Sequence, residues 1–508
     1  MGIKALKNSI AGFALQILSL VMNFVIRIIL VRYIGLVWLG INATLTSILS
    51  TFSLAELGLN SVVGFYLYEP IAKKDNKAIN YIVNIYRSIY KYVGTFFLGA
   101  SIISMGVIRF VLNGVDITLE VYLAYIILII NSVATYFLAY RRILLEADQK
   151  QYMERRIDIV FTMICNLLQI IAVVFLRNYL LFLALQATKT VLCNVIIHLK
   201  CGKIYPFLVS ERVEKKSIWS MVKELKDAFC IKIASYVYVS TDSIIISTFV
   251  NTIAVGYLSN YSLVMGSVKG IARSILYPIC PTIGNVIAQR KDEKPISFQI
   301  FVRVSLFILG IFVIPTLVLG PTFIEWIFGR EYLMEYSIMI LLALDFILDT
   351  ITIPCSAFIT GSGLFRNENI NCITGATVNI VASLVLVQFM GIKGVLLGTV
   401  ISQIVYWCMR TYTVWKYCLR EDSIFWINHL LTLILGAGIF FISYIGGKTV
   451  LLKLSSMSFL AQFILGGLSC EFVFIVAFSL LFAWDDATRQ ILKSVFAKMK
   501  RQGTDRSE

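Results

Sequence analysis

The sequence predicts an all-α polytopic membrane protein of fourteen transmembrane helices, built as two parallel six-helix lobes followed by two C-terminal helices. Three observations lead there: an apolar composition, apolar runs of spanning length that recur along the whole chain, and a similarity of the chain to itself at an offset of 216 residues.

Composition identifies the solvent. Of 508 residues, 58% are hydrophobic and only 15% charged, and the mean hydropathy is +0.83. Soluble domains carry about 25% charged residues. A bilayer-spanning helix needs roughly 17 to 25 mostly apolar residues. Runs of that kind cover Asn8 to Ile34, Leu39 to Tyr66, Asn84 to Leu112, Glu120 to Ala139, Asp158 to Leu176, Leu180 to His198 and Leu225 to Phe249. A second seven cover Ile253 to Ile283, Phe298 to Gly320, Ser337 to Thr360, Asn371 to Met390, Gly394 to Trp415, Ile427 to Gly446 and Met457 to Ala483.

Orientation follows from Lys and Arg in the short loops, which stay on the cytoplasmic side. With the amino terminus inside, the outward gaps hold Arg32, Arg109, Arg177, Arg330, Lys393, Lys448 and Lys453 alone, while the inward gaps and termini hold twenty-nine basic residues. Both ends are therefore expected in the cytoplasm of a cell-membrane protein, and the net charge of +16 is a topology signal rather than a nucleic-acid footprint. The first apolar run lacks a small-residue cleavage site after it, so no removable signal peptide is expected. The divisions that result are an N-lobe over 1–199, a cytoplasmic linker over 200–224, a C-lobe over 225–418, helices thirteen and fourteen over 419–484, and a basic tail over 485–508.

Several chemistries are excluded. The ten cysteines are scattered without CxxC spacing, so no metal site or disulfide framework is indicated. His198 and His429 stand alone at helix ends. Gly446-Gly447-Lys448-Thr449 resembles the end of a phosphate-binding loop, but Ile442 occupies the place of its first glycine. No cofactor is called for. The outward gap around Pro321 to Tyr336 offers no nucleophile with a base, so an enzyme is not expected.

The internal offset has structural meaning. It pairs Phe13 with Phe229, Ile17 with Ile233, Ser19 with Ser235, Gly40 with Gly256, Ile71-Ala72 with Ile287-Ala288, Arg87 with Arg303, Gly94 with Gly310 and Phe96 with Phe312. A shift spanning six helices preserves the inside-to-outside direction, so the halves are parallel repeats about an axis along the membrane normal.

Nine basic residues fall at membrane depth or at helix ends: Arg27, Arg87, Lys91, Lys189, Lys232, Lys269, Arg273, Arg303 and Arg410. Only Glu56, Asp242, Asp345, Asp349 and Glu471 are carboxylates comparably placed. Uncompensated charge in a bilayer is expensive. Arg87, Lys91, Lys232 and Arg303 lie near the inner boundary and could reach water by snorkelling. Arg27 and the i, i+4 pair Lys269 and Arg273 sit deeper. A wet cavity lined by Arg27, Arg87, Lys232, Lys269, Arg273 and Arg303, with an anionic ligand, accounts for the surplus. Glu56, Asp242, Asp345 and Asp349 are candidates either for binding a coupling ion or proton or for pairing with these cations.

The segment Arg32-Tyr33-Ile34-Gly35, then Trp38-Leu39-Gly40-Ile41, Glu56-Leu57-Gly58-Leu59, Pro70-Ile71-Ala72 before a basic loop, and Arg87 in the next helix resembles the opening of bacterial polysaccharide repeat-unit flippases. These belong to the multidrug, oligosaccharidyl-lipid and polysaccharide exporter superfamily. The resemblance implies a V-shaped pair of lobes and alternating access. Its implied substrate is an undecaprenyl-diphosphate-linked oligosaccharide of a capsule, O-antigen or exopolysaccharide pathway, carried from the inner to the outer leaflet. Arg27 and Arg273 become cavity arginines near the diphosphate, and the partners become membrane lipids, a polysaccharide polymerase and other biosynthetic machinery, with no nucleic acid. A peptidoglycan-precursor flippase shares the arginine logic. A drug or cation antiporter of the same fold relies on an acidic residue in the first helix, which this chain lacks, and a membrane glycosyltransferase or polymerase needs a catalytic outer loop, which it also lacks.

Overall fold

The computed structural model describes residues 21–52, 59–148, 150–211, 213–214, 240–289, 291–454 and 456–482. Glu56, Lys232, residues 212 and 215–224 of the expected linker, and the basic tail lie outside these residues.

In lipid every backbone N–H and C=O must be satisfied within the chain, which leaves helices as the spanning element for a sequence of this pattern. The described residues accordingly form helices α1 (21–33), α2 (Leu36–Phe52), α3 (Leu59–Lys73), α4 (Asn76–Ser104), α5 (Ile108–Val111), α6 (Leu119–Leu138), α7 (Arg142–Ala147), α8 (Gln151–Val174) and α9 (Tyr179–Ile204). After α10 (240–249) come α11 (Thr252–Leu276), α12 (Cys280–Gln289), α13 (Lys294–Phe328), α14 (Tyr336–Gly361), α15 (Phe365–Met390), α16 (Ile392–Thr413), α17 (Ser423–Lys453) and α18 (Phe459–Phe482). Among the described residues ten helices are long and apolar enough to cross a membrane. The 29-residue α4 bears Lys77, Arg87 and Lys91, and the 17-residue α2 is apolar but short.

Helix ends follow local chemistry. Asp75 caps α4 by accepting from the amides of Lys77 and Ala78, and Asn178 caps α9 by accepting from Leu181 N at 2.9 Å. Between α1 and α2 the chain turns at Gly35 with φ +92°, a conformation open to a residue without a Cβ. Arg142, which the sequence places in a loop, instead opens α7 and forks onto Asp158 of α8 at 2.7 and 3.1 Å.

α13 runs to Phe328, eight residues past the expected end at Gly320, in spite of Pro321. A proline removes the N–H that would satisfy the carbonyl four residues earlier. Here Tyr336 Oη donates to that carbonyl, Leu317 O, at 3.0 Å, so the helix continues without an orphaned acceptor.

Packing divides the chain into units Met1–Ser259 and Asn260–Glu508. In the first, Tyr136 is buried between Phe97 and Tyr90, with ring centroids 5.1 and 6.2 Å away. In the second, Phe298, Phe301, Phe358 and Phe474 are fully buried. Gly94 and Gly310, which the 216-residue offset pairs, both admit a ring: a Cβ on Gly94 would come within 3.1 Å of the Phe137 ring, and one on Gly310 within 1.9 Å of the Phe474 ring. The repeat thus keeps the small residue, but α4 receives a neighbour from α6, whereas α13 receives the C-terminal helix α18.

Candidate functional site

Four of the expected site residues of the second unit, Lys269, Arg273, Asp345 and Asp349, meet at one place. Lys269 and Arg273 lie one turn apart on α11, and Asp345 and Asp349 one turn apart on α14, so each pair projects from a single helix face. Lys269 Nζ lies 3.1 Å from Asp345 Oδ2 and 3.5 Å from Asp349 Oδ2, and Arg273 Nη2 donates to Asp349 Oδ2 at 2.6 Å. From α16, Gln403 Nε2 donates to the remaining oxygen Asp345 Oδ1 at 3.1 Å. Two positive and two negative groups form a neutral quartet. Its side chains keep between 19% and 37% of their surface uncovered, so the charges are shielded but reachable.

Arg27 is held in the first unit. It is half-buried on α1 and donates to the hydroxyl of Ser259 on α11. That hydroxyl gives its own proton to Gly256 O at 2.6 Å. With the proton committed to the backbone, the Ser259 lone pairs face the guanidinium and fix its position.

Arg87 and Arg303, paired by the offset, occupy different surroundings. Arg87 is exposed and donates to the Ser210 hydroxyl. This contact belongs to a clamp in which two buried asparagines of α4 hold the extended segment beyond α9. Asn80 Oδ1 accepts from Val209 N at 3.0 Å and Asn84 Nδ2 donates to Val209 O at 2.8 Å. Asn84 Oδ1 accepts from Glu211 N at 3.2 Å, and Asn80 Nδ2 donates to Glu211 Oε1 at 3.0 Å. Arg303 is only 6% exposed, within the α13 core. Asp242 is half-buried on α10, and Lys232 and Glu56 fall outside the described residues.

Arg410 has a partner that the sequence does not announce. Glu368, placed by sequence before the eleventh span, lies inside the first turn of α15 with its side chain 2% exposed. Its Oε1 accepts from Arg410 Nε at 3.0 Å and from Tyr406 Oη at 3.1 Å, and the Arg410 guanidinium lies 4.0 Å over the Tyr406 ring. One signal in the sequence pointed to it: Glu368 is three residues from the expected span, and the next span carries an arginine near its end. Nothing in the sequence singled out Gln403, Ser259, Asn80 or Asn84, because each depends on which helices become neighbours. Among the described residues no cluster of His, Cys, Asp and Glu could hold a metal ion.

These features define a class: a polytopic, all-helical membrane protein with paired and oriented charge set between its spans. Solved structures specify the architecture. The chain has the fold of the lipid II flippase MurJ in an inward-closed conformation, with 14% identity and a TM-score of 0.66 over 93% of this chain and 99% of that one. It also has the fold of an inward-facing multidrug-resistance MATE transporter of the MOP superfamily, with 11% identity and a TM-score of 0.62 over 79% and 95%. The MATE multidrug transporter DinF-BH matches at 12% identity and a TM-score of 0.56 over 79% and 93%. No protein-family model and no curated sequence matches the chain. The expected all-α, MATE-like architecture is the one observed, and these structural neighbours are a flippase and transporters rather than enzymes.

Proposed function

We propose that the protein is a flippase that carries an undecaprenyl-diphosphate-linked oligosaccharide from the inner to the outer leaflet of the cytoplasmic membrane by alternating access. The observation that carries this reading is Arg27, which donates to Ser259 from the first helix, where a cation antiporter needs a carboxylate. No Asp or Glu precedes Glu56 in the chain. A guanidinium positioned by a hydroxyl presents a planar fork that suits phosphate oxygens. Within the second unit, Lys269 and Arg273 are read as diphosphate ligands in their own right. On this reading both termini are cytoplasmic, and the partners are membrane lipids and the polymerase that consumes the flipped unit.

A peptidoglycan-precursor flippase is the second reading, favoured by the fold match that spans 99% of the lipid II flippase. Depletion of the protein separates the two. Repeat-unit lipid trapped on the cytoplasmic leaflet, with cell-wall synthesis continuing, is the expected result. Arrest of wall synthesis selects the second reading, and an unchanged distribution of both lipids removes the flippase assignment.

A further inference from the structure

The quartet on α11 and α14 poses a problem for any anion carrier that uses Lys269 and Arg273. Both cations are already engaged by carboxylates of the same unit, at 2.6 to 3.5 Å. An anionic lipid must therefore displace Asp345 and Asp349 rather than occupy an open site.

A carrier makes two conformational passages per cycle, one loaded and one empty. On the empty passage, two cations one turn apart would cross a low-dielectric environment with nothing between them, and like charges at that spacing repel. We propose that Asp345 and Asp349 act as built-in substitutes for the diphosphate, neutralising Lys269 and Arg273 while the carrier returns empty and giving them up when substrate arrives. The proposal rests on the reading of those two cations as diphosphate ligands.

Three features fit this role. The carboxylates repeat the spacing of the cations, so both are covered together. The quartet is partly uncovered, so an exchange of anions can occur. Gln403 holds the far oxygen of Asp345, so that carboxylate retains one donor after Lys269 leaves it. A substitute must also bind more weakly than the substrate. A carboxylate offers one acidic centre to each cation, whereas a diphosphate brings two phosphoryl groups whose oxygens engage an ammonium and a guanidinium fork at once.

The role has a signature that a structural ion pair lacks. Removing the internal competitor tightens substrate binding, while removing the neutralising charge slows the empty return, so affinity and turnover move in opposite directions. The test uses the full chain in nanodiscs, with undecaprenyl diphosphate as the binding probe and a fluorescent undecaprenyl-diphosphate-linked sugar for transbilayer transfer. In Asp345→Asn with Asp349→Asn, binding is expected to tighten by about tenfold or more, the scale of one charge-assisted hydrogen bond, while multiple-turnover transfer falls severalfold. The single change Asp349→Asn, which leaves Asp345 to Lys269, is expected to shift both readouts in the same directions by less, and it serves where the double variant does not fold. Unchanged or weaker binding in a folded variant, or tighter binding with undiminished turnover, overturns the proposal. If the wild-type protein binds no undecaprenyl diphosphate, the proposed function falls along with it; if wild type binds and the variants do not tighten, this inference alone falls.

Discussion

Gly40 and Gly256, 216 residues apart in the chain, lie against one another where α2 meets α11. The approach is reciprocal: a Cβ on Gly40 would stand 2.1 Å from Thr252 O, and one on Gly256 would stand 2.6 Å from Leu36 O. Leu36 and Thr252 are themselves related by the same offset, so each helix meets the other with equivalent residues, as in a contact about a local two-fold axis. Small residues that let helix backbones touch are the usual means of association in a membrane.

Gly40→Ala or Gly256→Ala forces the two backbones apart. Overpacking of this kind costs about 1 to 3 kcal/mol, and a larger side chain costs more. Thermal unfolding of the detergent-purified protein should show a lower midpoint for either alanine variant and no folded yield for Gly40→Leu. Wild-type stability in Gly40→Leu refutes the close approach.

The Glu368 and Arg410 pair predicts an asymmetric response. Removing one member leaves a buried charge uncompensated, at about 3 to 5 kcal/mol, whereas replacing both by apolar groups is far milder. Arg410→Met should therefore destabilise strongly, and Arg410→Met combined with Glu368→Met should recover most of the loss. Additive losses in a double-mutant cycle rule out the pairing.

Arg27→Ala should abolish oligosaccharide export with membrane insertion intact, and Arg27→Lys should restore it only in part, because an ammonium lacks the planar fork. Ser259→Ala should fall between wild type and Arg27→Ala, since the guanidinium stays but loses its fixed acceptor. Lys269→Ala and Arg273→Ala should each lower export strongly as well, although each also strands a carboxylate. Full export in Arg27→Ala would leave no part for this residue in substrate binding.

The asparagine clamp predicts slow amide exchange at Val209 and Glu211, whose N–H groups donate to Asn80 and Asn84. Asn80→Ala with Asn84→Ala should raise exchange at those two amides by tenfold or more, at about 1.4 kcal/mol per decade, while the interior of α4 is unaffected. Equal rates in both proteins mean that the segment is not held there.

Topology is open to direct assay. Reporter fusions at Asn113 and Arg330 should read outside, and a fusion at the carboxyl terminus should read inside. Any one of the three reversed breaks the fourteen-span scheme that the loop charges imply.

The sequence alone determined the solvent and the element type. In a bilayer both are properties of composition and run length, because backbone satisfaction permits little besides a helix. It also marked Gly40 with Gly256 and Gly94 with Gly310 as corresponding positions, since a shared offset survives in the residues themselves. Pairing was decided by tertiary structure. That Lys269 and Arg273 answer to Asp345 and Asp349, that Glu368 is buried against Arg410, and that Ser259 orients Arg27 all depend on which helix faces come together. Those interactions span 42 to 232 positions of chain, and a periodic apolar pattern specifies that a helix has neighbours without specifying which ones.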